Sequence, residues 1–134
     1  MVNVITPEQL AANGSEHGNQ AALFCWAQQN LNSYPELKYL FAIPNGGMRD
    51  KITAAKLKAE GVKLGVPDMC LPVSRSIYHG LFIELKKLKG GVLSKEQEHW
   101  INWLNEQGYY AMVCRGWEEA REILIWYLRF ANKP

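Results

Sequence analysis

Residues 81–87 read LFIELKK. Successive side chains of a strand point to opposite faces. Leu81, Ile83 and Leu85 therefore share one face, and Phe82, Glu84 and Lys86 share the other. Phe82 argues that the second face is covered too, which places a carboxylate and an ammonium group under cover. Buried charge is costly unless it is paired or coordinated. A second apolar run, MCLPV (Met69–Val73), precedes it across the turn SRSIYHG. Pro72 marks an edge or a strand end. As an antiparallel hairpin, the two runs bring Asp68 and Glu84 to the same end.

Around this hairpin the pattern alternates between helix and strand. Ser15 is a plausible N-cap for a helix to about Leu31, with Leu23, Trp26, Ala27, Asn30 and Leu31 inward. Glu16 and Gln20 continue that stripe and are expected to point inward or to its edge. Residues 1–14 form an arm or a short lead-in helix. KYLFAI (Lys38–Ile43) is a strand candidate ended by the turn PNGG. A basic helix follows from about Asp50 to Glu60, with Ile52, Ala55 and Leu57 apolar and Gly61 as its stop. Ser94-x-x-Gln97 is a capping box opening a helix to about Gln107. YYAMVC (Tyr109–Cys114) is a strand, and Trp117 to about Phe130 an amphipathic helix. The order α–β–α–β–β–α–β–α predicts an α/β (α+β) domain over residues 15–131, with a mixed sheet and helices on its faces.

Composition narrows the function classes. The 134 residues are 48% hydrophobic and 21% charged, as in an ordinary one-domain globular chain. No apolar run approaches the roughly 18 residues that span a bilayer. The first residues lack a signal-peptide pattern, so a cytoplasmic location is expected, with no membrane partner. Cys25, Cys70 and Cys114 form no CxxC pair and are expected to be reduced thiols. A net charge of +2 permits nucleic acid as a partner without arguing for it. His17, His79 and His99 are not at zinc spacing.

Each charged residue has a plain reading. Asp68 suits a turn or cap, and Glu84 with Lys86 suits a solvated face with cross-strand ion pairs. Together they suit a sharper one. Two converging carboxylates make a hard oxygen site for Mg²⁺ or Mn²⁺. A lysine beside it can orient a water or stabilise charge on phosphate. These are the parts of phosphodiester hydrolysis.

Pro67-Asp68 followed by Glu84-Leu85-Lys86 resembles the PD-(D/E)xK nuclease superfamily. Further blocks extend the likeness: S-E-H from Ser15, Y-P-E-L, F-A-I-P-N-G-G-x-R, A-E-G-V-K-x-G-V-P-D, G-L-F-I-E-L-K, G-G-x-L-S-x-E-Q and G-Y. In this order they resemble the stand-alone VRR-NUC nucleases, from about Ser15 to Phe130. The resemblance implies a restriction-endonuclease-like core, αβββαβ, with the basic helix inserted between the first two core strands. It implies metal ligation by Asp68, Glu84 and the backbone carbonyl of Leu85, with Lys86 as the catalytic lysine. Glu16 matches the helix-borne acid that completes the site or orients its waters. Gln97 matches the family glutamine, and a capping box explains it equally well. Asn45 and Arg49 suit a turn and a surface charge, or a phosphate contact. Lys51, Lys56, Lys58 and Lys63 suit a solvated face, or further phosphate contacts.

The expected activity is a Mg²⁺- or Mn²⁺-dependent DNA endonuclease without an organic cofactor. By family and size it would resolve branched DNA, Holliday junctions included, as a homodimer. The five tryptophans are most simply core, and exposed members of Trp100, Trp103 and Trp126 would suit a dimer surface. The compact form suits a phage or prophage gene with a role in DNA repair. The rivals are a same-fold nuclease acting on flaps, nicks or single strands, and a non-catalytic nucleic-acid-binding module.

Overall fold

The computed structural model describes residues 4–44 and 51–131. Four strands form one sheet in the order β1-β2-β3-β4. They are β1 (Phe41–Ala42), β2 (Met69–Leu71), β3 (Leu81–Lys86) and β4 (Tyr110–Arg115). β1, β2 and β3 run antiparallel in turn, whereas β3 and β4 are parallel. The helices are α1 (Pro7–Leu10), α2 (Glu16–Gln29), α3 (Lys51–Ala59), α4 (Lys95–Glu106) and α5 (Trp117–Arg129). α4 makes the crossover that parallel neighbours require.

The alternation along β3 sorts the layers. Leu81, Ile83 and Leu85 are each 1% exposed and pack with Ala22, Leu23 and Ala27 of α2 and with Ala120, Leu124 and Tyr127 of α5. Burying one such side chain fully contributes about 1.5–3 kcal/mol, so this face carries the core. Tyr127 reaches across it and donates its hydroxyl to the carbonyl of Val73 at 2.6 Å. α4 covers the opposite face. Its Asn105 accepts from the N–H of Ala111 at 3.0 Å and donates to the Ala111 carbonyl at 2.9 Å. An edge strand exposes just such unpaired groups, and here one amide side chain satisfies both. Cys70 and Cys114 are buried free thiols, and burial pushes them up to about 11 and about 12.

The lead-in is a helix. Thr6 and Gln9 form a capping box around α1, which packs on α2. Gln29 adds a bond from its side chain to the carbonyl of Ile5 at 3.3 Å.

One expectation needs correction. The strand expected over Lys38–Ile43 shrinks to β1, Phe41–Ala42, because Lys38 and Tyr39 belong to a 3-10 helix, Pro35–Tyr39. Pro35 presets the first turn, and the buried Leu37 anchors it. β2 in turn offers only Met69 and Cys70 as partners for β1. The apolar residues of α3 face no core: the helix has no buried residue, and Ile52 is 72% exposed.

The chain returns from α3 to Asp68 through Gly65, which holds φ +92° with its α-carbon against the first turn of α4. An added Cβ would lie 2.6 Å from the Glu96 carbonyl carbon. Gly65→Ala combines this backbone clash with an unfavourable φ. Denaturant melts should show a loss of about 2–4 kcal/mol.

Candidate active site

The second face of β3 carries Glu84 and Lys86, both buried, at 1% and 6% exposure. β2 runs antiparallel with Met69 opposite Ile83, so the residue before it, Asp68, lies beside Glu84 and Leu85. One oxygen of Asp68, Oδ2, accepts the N–H of Leu85 at 2.7 Å. Glu84 Oε2 accepts from the side-chain amide of Gln97 at 3.1 Å, and Lys86 Nζ stands 3.7 Å from the same oxygen. The other oxygen, Glu84 Oε1, is buried and has no donor. Buried polar atoms are nearly always satisfied, so an orphaned carboxylate oxygen in a closed site points to a missing partner.

Electrostatics points the same way. Burial pushes the Glu84 carboxyl up to about 9. The Asp68 carboxylate adds to this by its charge and by sharing a proton, Lys86 opposes it, and Glu16 adds further. Two carboxylates this close do not both ionise readily without a cation between them.

Gln97 does two jobs with one side chain. Its Oε1 accepts from the Ser94 N–H at 2.9 Å, and the Gln97 backbone N–H donates to the Ser94 hydroxyl oxygen at 3.1 Å, which completes the capping box. Its Nε2 is then left aimed at Glu84. Gln97→Glu separates the two jobs. Glutamate also closes a capping box, but it brings a third carboxyl to Glu84. Melting temperature should stay within a few degrees of the parent, while cleavage falls about tenfold or more. Parental cleavage would leave Gln97 as a cap alone.

The structure brings Asp68, Glu84, Leu85, Lys86 and Gln97 together. Glu16 differs from its expected placing: it is solvent-exposed on the first turn of α2 rather than turned in. Position 16 lies at the end of the helical stripe, where the core stops and solvent begins. Its charge is nonetheless felt at Glu84. Lys51, Lys56, Lys58 and Lys63 are exposed on α3 and the segment after it. Asn45 and Arg49 lie outside the described residues.

Sequence reasoning missed three supporting residues. Gly91 packs on the stem of Lys86, where a Cβ would lie 3.3 Å from two of its carbons. Arg115 holds the Gly91 carbonyl at 2.7 Å. Asn19, 4% exposed, joins α2 to the start of α5. Its place on the stripe with Leu23, Trp26 and Ala27 was the available signal.

The donors fit a hard divalent ion. Asp68, Glu84 with its orphaned Oε1, and the Leu85 carbonyl are all oxygen. That carbonyl points to the Asp68 side of β3, because the N–H and C=O of one strand residue face the same neighbour. Among the described residues no three His, Cys, Asp or Glu side chains cluster as a complete ligand set. An ion here would therefore depend on the backbone carbonyl and on water.

The sequence pattern of the VRR-NUC domain matches residues 8–118. The chain belongs to the VRR-NUC family. A solved structure, a VRR_NUC domain protein, shares 30% sequence identity with it at a TM-score of 0.72. The alignment covers 86% of this chain and 88% of that one. No curated protein matches. This VRR-NUC domain has the mixed four-stranded sheet and flanking helices of its structural relative, and the family is one of nucleases. Among the described residues no helix is long and apolar enough to cross a membrane.

Proposed function

We propose that this VRR-NUC domain is a Mg²⁺- or Mn²⁺-dependent DNA endonuclease that cuts branched DNA as a homodimer. The observation that carries the reading is the closed cluster of Asp68, Glu84 and Lys86, with one Glu84 oxygen left without a donor.

Each residue has a task that follows from its placing. Asp68, Glu84 and the Leu85 carbonyl would hold the ion. When bound, such an ion supplies positive charge against the phosphate and makes nearby water more acidic. The Leu85 N–H fixes one Asp68 oxygen, which sets the direction of the other. Gln97 fixes Glu84 from the α4 side. Lys86, held by Gly91, keeps an ammonium in a dry site where its field is strong. There it can donate to the attacking water or to a phosphate oxygen as charge builds up. Glu16, at the solvent edge, can order water entering the site.

The exposed lysines of α3 supply phosphate contacts away from the reacting atoms, and Asn45 and Arg49, which precede them in the sequence, would add to these. Each neutralised phosphate should steepen the salt dependence of binding. The dimer follows from economy: one small chain holds one site, and paired cuts across a junction need two sites related by a two-fold axis.

The test is a panel of four-way junction, flap, nicked, single-stranded and linear DNAs, with Mg²⁺, Mn²⁺ or EDTA. The four-way junction should be cut fastest, and EDTA should stop all cleavage. Faster cutting of flaps, nicks or single strands would reassign the substrate. Binding without cutting of any DNA would leave a binding module.

A further inference from the structure

We infer that Asn19 is a positioning residue of this site: it locks the first turn of α2, and so the backbone of Glu16, to the strand ends that carry Lys86. The inference rests on the nuclease reading above.

A continuous hydrogen-bonded path connects the two. The Lys86 carbonyl accepts the N–H of Gly116 at 2.8 Å. The next N–H, that of Trp117, donates to Asn19 Oδ1 at 3.0 Å, and this bond is buried. Asn19 Nδ2 then donates to the Ser15 carbonyl at 2.8 Å. Ser15 is the N-cap of α2, and Glu16 is the next residue.

The path answers a need at each end. α5 opens on Gly116, which has no side chain to cap it. The first N–H groups of a helix have no partner within it, so Trp117 requires an acceptor from elsewhere. At the other end, the Ser15 hydroxyl accepts from the Gly18 N–H at 2.9 Å and keeps the α2 turn helical. Gly18 brings the turn against the Leu10 carbonyl of α1, since a Cβ there would lie 2.6 Å from that oxygen. Neither contact ties the turn to the sheet; the Asn19 pair does. Only a side chain that accepts and donates at once can serve both ends, and an amide does so.

Glu16 is the member of the site with the least support of its own. It is exposed, and its charge reaches Glu84. Its place relative to Glu84 therefore depends on where the α2 backbone is held.

Asn19→Asp divides the pair. Aspartate still accepts from Trp117 and is a good cap for α5. Its side chain cannot donate to Ser15, which keeps only the backbone N–H of residue 19 at 3.0 Å, and it sets an oxygen against that carbonyl. The first measurement is deuterium exchange in the full, metal-free chain. In Asn19→Asp the amides of residues 15–20 should exchange about tenfold faster, while those of 117–120 keep parental protection. The second is junction cleavage. Asn19→Asp should lower kcat about tenfold with KM for DNA unchanged, as misplacement does. Combined with Glu16→Gln it should cause no further loss, because both changes act through one group.

Unchanged exchange over residues 15–20 overturns the inference. So do losses that multiply in the double variant, which would leave the nuclease reading intact. A parent protein that cuts no DNA overturns both. Asn19→Ala, read in the same cycle with Glu16→Gln, carries the test if the aspartate variant does not fold.

Discussion

Lys86→Ala is expected to bind DNA at near-parental affinity and to cut it about 10²–10³-fold more slowly. Two physical effects combine. The ammonium 3.7 Å from Glu84 is removed, and with it a donor held in a dry site. Lys86 is also the group that pulls the Glu84 pKa down. Without it the carboxyl rises further, and metal binding, which needs the ionised form, weakens. The variant should therefore need more Mn²⁺ for half-maximal cleavage as well as cutting more slowly at saturation. Lys86→Arg should not rescue it. The guanidinium is a wide planar fork, and Gly91 already sits against the lysine stem. Single-turnover cleavage across a Mn²⁺ titration, with DNA binding measured in EDTA, checks both parts. Cleavage at the parental rate would remove Lys86 from the site.

Glu84→Gln is expected to lose cleavage about 10³-fold while making the metal-free protein more stable above neutral pH. The Glu84 pKa is about 9 in the folded protein, against an ordinary value of 4.5. Between those values the folded state holds a proton that the unfolded chain has released. Stability then falls as pH rises, by up to about 1.4 kcal/mol per pH unit. The contribution of the protonated acid is complete below 4.5 and is lost as pH rises to about 9. Glutamine does not ionise, so the variant should show a flatter profile and melt higher than the parent at pH 8. Saturating Mn²⁺ should reverse the trend for the parent alone, since metal binding takes the ionised acid. Thermal melts from pH 5 to 9, with and without Mn²⁺, decide it. A metal-free parent whose melting point holds steady across this range would refute the assignment.

The parts of the molecule legible in the sequence are those governed by local rules. Alternation along 81–86 sorted core from site because a strand has a period of two. Ser94 and Gln97 declared the start of α4 because a cap needs fixed spacing. Long-range partnerships left weaker marks. Nothing within a few residues of Asn19 indicates that Trp117 is its partner, 98 positions away. The segment 38–43 has strand-like composition, yet a 3-10 helix that starts at Pro35 and is anchored by the buried Leu37 takes up its first two residues. α3 shows a helical pattern with apolar positions, and periodicity does not reveal whether another element covers them. The same holds for Glu16: the helical wheel gives its direction from the axis but not where the protein ends along that direction.

α3 leaves the sheet after β1 and comes back at β2 without burying a side chain. The buried residues of the other elements answer to the core or to the cluster around Glu84, and substituting them carries a penalty in folding or in chemistry. The residues of α3 have no such buried role. Its sequence is free to drift with whatever polyanion the protein must grip, so related domains could exchange this helix and change their targets while keeping one catalytic platform.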